Sequence, residues 1–366
     1  NRRVVDRAIN HKMSLSASSL MDAGNISVSP NDSLDHLQKL MASSGWGQIP
    51  VVDPQSGDII GIVTRTDLIK TKSPQKLQPS QSNMAKRLTQ AIPPARLALL
   101  QAIAKEAERK NIPIYIVGGF VRDLLLNRPS LDFDIVTEGD AIYFVRTLVK
   151  KFGGRSISYN RFGTAKWYLA DELETIATKL NAEKNLHPNE LPNHLDLITA
   201  RTEFYEKPSA LPTVESSSIK MDLHRRDFTI NTLALRLDGD HFGKIFDYWG
   251  GLADLENKQI RVLHALSFVD DPTRLLRAVR FEQRFGFMIE DRTLALMQES
   301  LPLVNQITGS RLRHEFELIL TEPMAAKMME RLNYLGILKA IHRNLPWTKE
   351  IAQDIENVNM LEVPSG

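Results

Sequence analysis

Residues 114–136, IYIVGGFVRDLLLNRPSLDFDIV, constrain this chain more than any other stretch. An apolar run of strand character ends in Gly118-Gly119, where glycine lets the backbone turn at positive φ and approach a ligand closely. FVRDLLL then reads as the start of a helix. Its free N–H groups and positive dipole end suit a phosphate, and Arg122 adds a planar cation. Asp132 and Asp134 follow, at i and i+2 of a strand, so they share one face. Two carboxylates beside a triphosphate cradle make a Mg²⁺ site, because Mg²⁺ prefers oxygen ligands and substrate phosphates. Two ions held this way can activate an attacking hydroxyl and stabilise a leaving pyrophosphate. Alone, each motif is an ordinary turn or a solvated strand end. Combined as strand, glycine pair, helix and carboxylate strand, they are much rarer.

Composition narrows the classes around this element. The 366 residues contain no cysteine, which excludes disulfides, thiolate metal sites and cysteine nucleophiles. That fits a reducing compartment, and the chain is expected in the cytoplasm. No apolar stretch nears the roughly 18 residues that span a bilayer, so no membrane partner is expected. The formal net charge is only +2, so nucleic-acid binding would have to rest on local basic surface. The first residue is Asn rather than Met, and the chain is expected to be a piece of something longer.

The rest of the chain divides by pattern. In residues 1–70, SLDHLQKLMASSG carries apolar residues at helical spacing, and QIPVVD and DIIGIVTRTDLIK read as short strands, the second running into a helix. Residues 71–90, rich in Ser, Gln, Lys and Pro, read as a linker. PPARLALLQAIAKEAERKN starts a long helix with prolines and delivers the chain to Ile114. TAKWYLA and HLDLITAR read as strands, with a polar surface excursion between them. From about Asp247 the strand signals fade and helices take over. The fold class is α+β: a head with a mixed sheet in 91–240, an all-helical neck in 241–320, the start of a helical body in 321–366, and a small α/β module in front.

Two resemblances follow from these motifs. SVSPNDSLDHLQKLM, IPVVD and GIVTRTDL resemble a CBS motif, with RRVVDRAINHKM like the end of a preceding one. CBS motifs work in pairs and often bind adenosine nucleotides; Thr64 and Asp67 stand where such a ribose usually lies. A dimerisation or spacing role for this module is the preferred expectation. GGFVRD and DFD, joined by LHRRDFTINTLAL, closely resemble class II tRNA nucleotidyltransferases and bacterial poly(A) polymerases, with a polymerase-beta-like nucleotidyltransferase fold. The resemblance implies that Asp132 and Asp134 are the catalytic, metal-binding carboxylates. It implies that Gly118, Gly119, Arg122 and Asp123 shape the triphosphate site, and that Arg226, Asp227 and Asn231 lie near the ribose. Asp196, in HLDLITAR, stands where a third acid of the superfamily could fall.

The same resemblance assigns base choice to DDPTRLLRAVRF. Pro272 suits a helix start, with Asp271 before it. Arg277, Arg280 and Arg284 fall on one broad face, with Arg274 at its margin; without the resemblance this is a solvated charged face. The family carries Glu-Asp-x-x-Arg here and this chain Asp270-Asp271-x-x-Arg274. Asp271 accepts and Arg274 donates, which suits the amino group and ring nitrogen of adenine or cytosine and mismatches guanine and uracil. Asp270 in place of Glu leaves the C-versus-A preference open. DYWGGLADLENKQIRVL and GSRLRHEFELIL resemble the family's linking and bracing segments and are expected to be structural. The expected activity is Mg²⁺-dependent, template-independent addition of AMP from ATP to the 3′ end of tRNA, with CMP from CTP left open. The rivals are a poly(A) polymerase and, in another class, a non-catalytic adenylate-sensing or RNA-binding protein. A basic signature associated with bacterial poly(A) polymerases is absent where YNRFGTAKW stands, which favours tRNA.

Overall fold

The computed structural model describes residues 26–44, 48–64, 83–128, 133–180, 186–204 and 213–360. Contacts divide the chain into two compact units, residues 1–72 and 73–366.

In the first unit the helix Leu34–Ser44 buries Leu37 and Met41, four residues apart on one face. They pack with Val28 and Ile49. Strands β1 (Gln48–Val52) and β2 (Ile59–Thr64) pair antiparallel across a turn in which Asp53 accepts the Gln55 N–H. The helix–strand–strand order is the expected one. Thr64 ends β2 and is half-buried; Asp67 and the helix expected after it lie outside the described residues.

The second unit is built on a seven-stranded mixed sheet. In chain order it uses β3 (Ile114–Val117), β4 (Ile135–Thr137), β5 (Arg155–Tyr159), β6 (Thr164–Tyr168) and β7 (His194–Thr199). A hairpin of β8 (Arg201–Phe204) and β9 (Thr213–Ser216) pairs apart from the sheet, and β10 (Leu233–Arg236) and β11 (Ile245–Asp247) complete it. The spatial order is β11-β10-β3-β4-β7-β6-β5. Only β4 and β7 run parallel. Strands β3 and β4 are buried at every position, as strands covered on both faces must be. One face carries Ile114, Ile116, Ile135, Ala165, Trp167 and Leu197 into a core shared with the helices Pro94–Arg109, Gly119–Leu125, Ala141–Phe152 and Leu173–Leu180. The other carries Tyr115, Val117, Val136 and Ala234 against Ile219 and Leu223 of the helix Ile219–His224.

The Pro94–Arg109 helix starts as expected, with Pro94 at its first position. After Asp247 the chain is helical except for the short parallel pair β12 (Gln259–Ile260) and β13 (Met288–Ile289). Two expectations are corrected. The linker ends before residue 83: Ala85–Ala91 is a helix whose Leu88 is buried with Met84, and the Met84 N–H donates to the Gly243 carbonyl at 2.7 Å. The polar excursion contains the helix Leu173–Leu180, which puts Ile176 and Ala177 into the core. In both segments a few apolar residues at helical spacing outweigh polar composition. Among the described residues no helix is long and apolar enough to cross a membrane.

Candidate nucleotide site

Strand β3 ends at Val117, and Gly118 turns the chain into the helix Gly119–Leu125 at φ +72° and ψ −126°, a conformation that favours glycine. The Gly118 N–H donates to the Leu233 carbonyl of β10 at 3.0 Å. A methyl group here would lie 2.8 Å from Nη1 of Arg226. The cation laid against the glycine turn is therefore Arg226. Arg122, the cation expected there, lies beside the second glycine, its Nη2 3.5 Å from where a Gly119 methyl would be, and is buried. Its Nε and Nη2 donate to Asp123 at 2.8 and 3.0 Å, its Nη1 donates to Asn231 Oδ1 at 2.6 Å, and its guanidinium lies over the rings of Phe285 and Phe281. Arg122 and Asp123 are both buried. They tie the helix after the glycine pair to the helix Arg274–Phe285.

Arg226 is tethered through Nη2 to Asp222 Oδ2 at 3.2 Å, while its Nε is buried without a hydrogen-bond partner among the described residues. Asp222 is fully buried and also accepts from Arg225 and from the Arg201 N–H. Burial pushes its carboxyl up, but the charges of Arg226 and Arg225 outweigh this and hold it below the usual range. Sequence reasoning missed Asp222. An acid three and four residues ahead of two arginines on a helix was the available signal.

Of the carboxylates expected to hold metal, two are among the described residues. Asp132 is outside the described residues. Asp134 is exposed and immediately precedes β4. Ile135 pairs with Leu197 in parallel register, so Asp134 falls beside Asp196 of β7; Asp196 in turn pairs with Lys166 of β6. The three residues form one row across the sheet, on the face shared with Val136. Lys166 Nζ lies 2.9 Å from Asp196 Oδ2, and that bond leads the effects that raise the lysine's pKa. The donor set, carboxylate oxygens, fits Mg²⁺ in type. Lys166 occupies one oxygen of Asp196.

The groups expected at the ribose and base are buried and bonded to protein. Asp227 accepts from the Phe228 N–H and Asn231 Nδ2 on one oxygen, and from Arg277 Nε and Nη2 on the other. Burial alone would raise this carboxyl; the Arg277 charge and the hydrogen bonds from Asn231 and Arg277 hold it far below the ordinary range. Asn231 joins Asp227 to Arg122. Asp271 Oδ1 accepts from Thr273 N and Oγ1 at 3.0 and 2.7 Å and from Arg311 Nη2 at 2.7 Å. Its Oδ2 has no hydrogen bond among the described residues. Arg274 donates to Ser267 Oγ at 2.6 Å and to the Arg225 carbonyl at 2.7 Å. The helix starts at Arg274, after Pro272 and Thr273, because Asp271 closes a side-chain turn on Thr273.

The solvated arginine face is also corrected. Arg280 is buried beside Glu315; Arg277, partly exposed, bridges Asp227 and Glu315; Arg284, paired with Glu322, is exposed. The bracing helix Gly309–Leu320 thus touches the base-reading segment through Arg311 and Glu315, spaced one helical turn apart. Nearby, His224 stacks on His264 and packs at a tilt against Trp249, with ring centroids 5.3 and 4.7 Å away. Burial, with the charges of Arg274 and Lys220, pushes its pKa down to about 4.

Residues 114–261 match the poly A polymerase head domain, residues 17–73 the CBS domain, and residues 286–348 a region described as a probable RNA- and SrmB-binding site of polymerase A. Over 98% of its length the chain is 36% identical to the A-adding tRNA nucleotidyltransferase of Geobacter sulfurreducens. It belongs to the class II CCA-adding and poly(A) polymerase head family. Two solved structures of this family are similar. An apo form of a CCA-adding enzyme matches 76% of this chain with TM-score 0.66 and 39% identity. The Thermotoga maritima CCA-adding enzyme complexed with tRNA matches 76% with TM-score 0.61 and 37% identity. The chain covers 40% of the Geobacter protein, and 61% and 60% of the two structures.

Proposed function

We propose that this chain is the catalytic part of a tRNA nucleotidyltransferase that transfers AMP from ATP to the 3′-hydroxyl of a tRNA ending in CC. The observation that carries the reading is the juxtaposition of three parts in one unit. They are the Gly118 turn under Arg226, the Asp134–Asp196 row on the same sheet, and Asp271 beside Arg274 at the start of the Arg274–Phe285 helix. Likeness to the A-adding Geobacter protein across both the CBS and head regions supports A over C. On this reading residues 91–240 are the catalytic head, 241–320 the neck that reads the base, 321–366 the start of a body and 1–70 the CBS module.

Each part has a chemical task. The Gly118-Gly119 backbone and Arg226 receive the triphosphate. Asp132 and Asp134, with Asp196 as a third acid, would hold Mg²⁺, which when bound neutralises phosphate charge and lowers the pKa of the attacking hydroxyl. Asp271 Oδ2 accepts from the exocyclic amino group of adenine. Arg274 uses two of its five N–H groups on protein and has others to donate to the ring nitrogen. Guanine and uracil present the opposite pattern and leave both groups unpaired. In the CBS module Ile59, Ile60 and Ile62 of β2 are exposed, which supports pairing with a second copy.

The test is incorporation with Mg²⁺ into tRNA transcripts ending at the discriminator base, at C and at CC, each with one labelled nucleoside triphosphate. A single A added only to the CC end is the expected result. C addition followed by A makes the protein a full CCA-adding enzyme, and CC addition alone reverses the assignment. Long A tails on any RNA make it a poly(A) polymerase. RNA binding without incorporation favours the non-catalytic reading.

A further inference from the structure

The proposed ribose site raises a problem of capacity. An ionised carboxylate offers about four lone-pair sites. Asp227 already uses four: the Phe228 N–H at 2.8 Å, Asn231 Nδ2 at 2.9 Å, Arg277 Nε at 2.9 Å, and Arg277 Nη2. In this state Asp227 cannot also accept from a ribose hydroxyl. One donor has to leave.

Two of the donors are fixed by local chain. Phe228 is the next residue, and Asn231 sits in the one-turn helix Thr229–Asn231 with its amide oxygen already holding Arg122. Arg277 is different, because it alone has a second carboxylate within reach. Its Nη1 lies 3.7 Å from Glu315 Oε1, within an ion pair but short of a hydrogen bond. Glu315 is buried on the Gly309–Leu320 helix, and its Oε2 has no hydrogen-bond partner among the described residues. The adjacent Arg280, also buried, approaches it only to 3.9 Å, and Arg280 Nε is likewise unpartnered. Buried polar atoms left without bonds are costly, so this pair describes a position waiting to be filled. Burial raises the Glu315 carboxyl in spite of Arg277 and Arg280, which fits incomplete pairing.

We propose that Arg277 is a two-position gate for the ribose. Without nucleotide it closes Asp227; when a ribonucleotide enters, it moves to Glu315 and frees Asp227 Oδ2 for the 2′-hydroxyl. Glu315 is then a positioning residue for ribose selection that never touches the nucleotide. A deoxyribonucleotide brings no donor to replace Arg277, so the gate stays closed and that contact is not made. The inference rests on the reading of Asp227 as the ribose group.

Equilibrium binding of ATP and of 2′-dATP to the whole chain, with Mg²⁺ and without primer, tests it. The wild type should prefer ATP by at least about tenfold, as expected for a hydrogen bond to a charged group. Glu315→Gln removes the receiving charge and should lower ATP affinity to near that of dATP, with dATP binding unchanged within about twofold. Equal weakening of both nucleotides makes Glu315 a mere brace and overturns the gate. An unchanged preference in the variant, or no preference in the wild type, also overturns it. If Glu315→Gln does not fold, the Arg277 Nε–H resonance of the wild type, assigned by its loss in Arg277→Lys, decides: it should shift with ATP and not with dATP, and no shift with ATP rejects the gate. Failure of AMP transfer with this discrimination intact would reject the transferase reading alone.

Discussion

Two sets of carboxylates in the second unit make the instructive contrast. Asp134 and Asp196 stand on the sheet face at the edge of the glycine turn, one exposed and the other sharing solvent with Lys166. Asp222 and Asp227 lie on neighbouring stretches of chain and are almost wholly buried, their oxygens taken up by arginines, backbone N–H groups and, for Asp227, Asn231. The residue type is the same, but the physics differs. An acid that must meet a metal or a phosphate has to keep lone pairs open. An acid that must hold arginines in place has to be buried among them, where both members of each pair depend on the other. The first set should control turnover. In the second, Asp222 should control stability, and Asp227 meets the ribose only when Arg277 leaves it.

The largest stability effect should come from Asp222→Ala. It strips the partner from Arg225 and Arg226 at a buried site and should cost about 3–5 kcal/mol in chemical denaturation. A loss below 1 kcal/mol would collapse the contrast. Next comes acid sensitivity. His224 is held neutral, so below its ordinary pKa of 6.5 the unfolded chain takes up a proton that the folded chain refuses until about pH 4. The stability in question is present above pH 6.5 and is lost as pH falls towards 4, a change on the order of 3 kcal/mol. Melting curves of His224→Phe between pH 7 and 4 should lack this component; an identical acid limb in wild type and variant contradicts it.

Gly118→Ala should cost about 1–3 kcal/mol through its backbone conformation. It also displaces Arg226, so nucleotide affinity should fall more than the melting temperature suggests, as titration with ATP would reveal. Lys166→Met removes a half-exposed ion pair and should change stability by less than about 1 kcal/mol. A larger effect would mean that the sheet row is structural after all.

What could be read from sequence divides along the same line. The glycine turn and the long helix before β3 depend on neighbours a few residues away, and local patterns state them directly. Arg226 over Gly118, Arg277 on Asp227 and Arg311 on Asp271 join segments far apart in the chain, and no spacing rule connects them. Arg122 illustrates the consequence: its position in GGFVRD places it beside Gly119, but its bond to Asn231 and its contact with the Phe285 ring come from segments far along the chain. The arginines of the Arg274–Phe285 helix were legible as one face. Their burial was not, because Glu315, which lines the other side, arrives 35 or more residues later.

The most direct test of the contrast is single-turnover AMP transfer to a CC-ending tRNA by wild type and Asp134→Ala, with melting temperature and tRNA affinity measured on the same samples. The account predicts loss of transfer by at least about a hundredfold, while stability stays within about 0.5 kcal/mol and tRNA binding within about twofold. Transfer retained to within a few fold would contradict it, and so would loss of transfer that merely follows loss of fold.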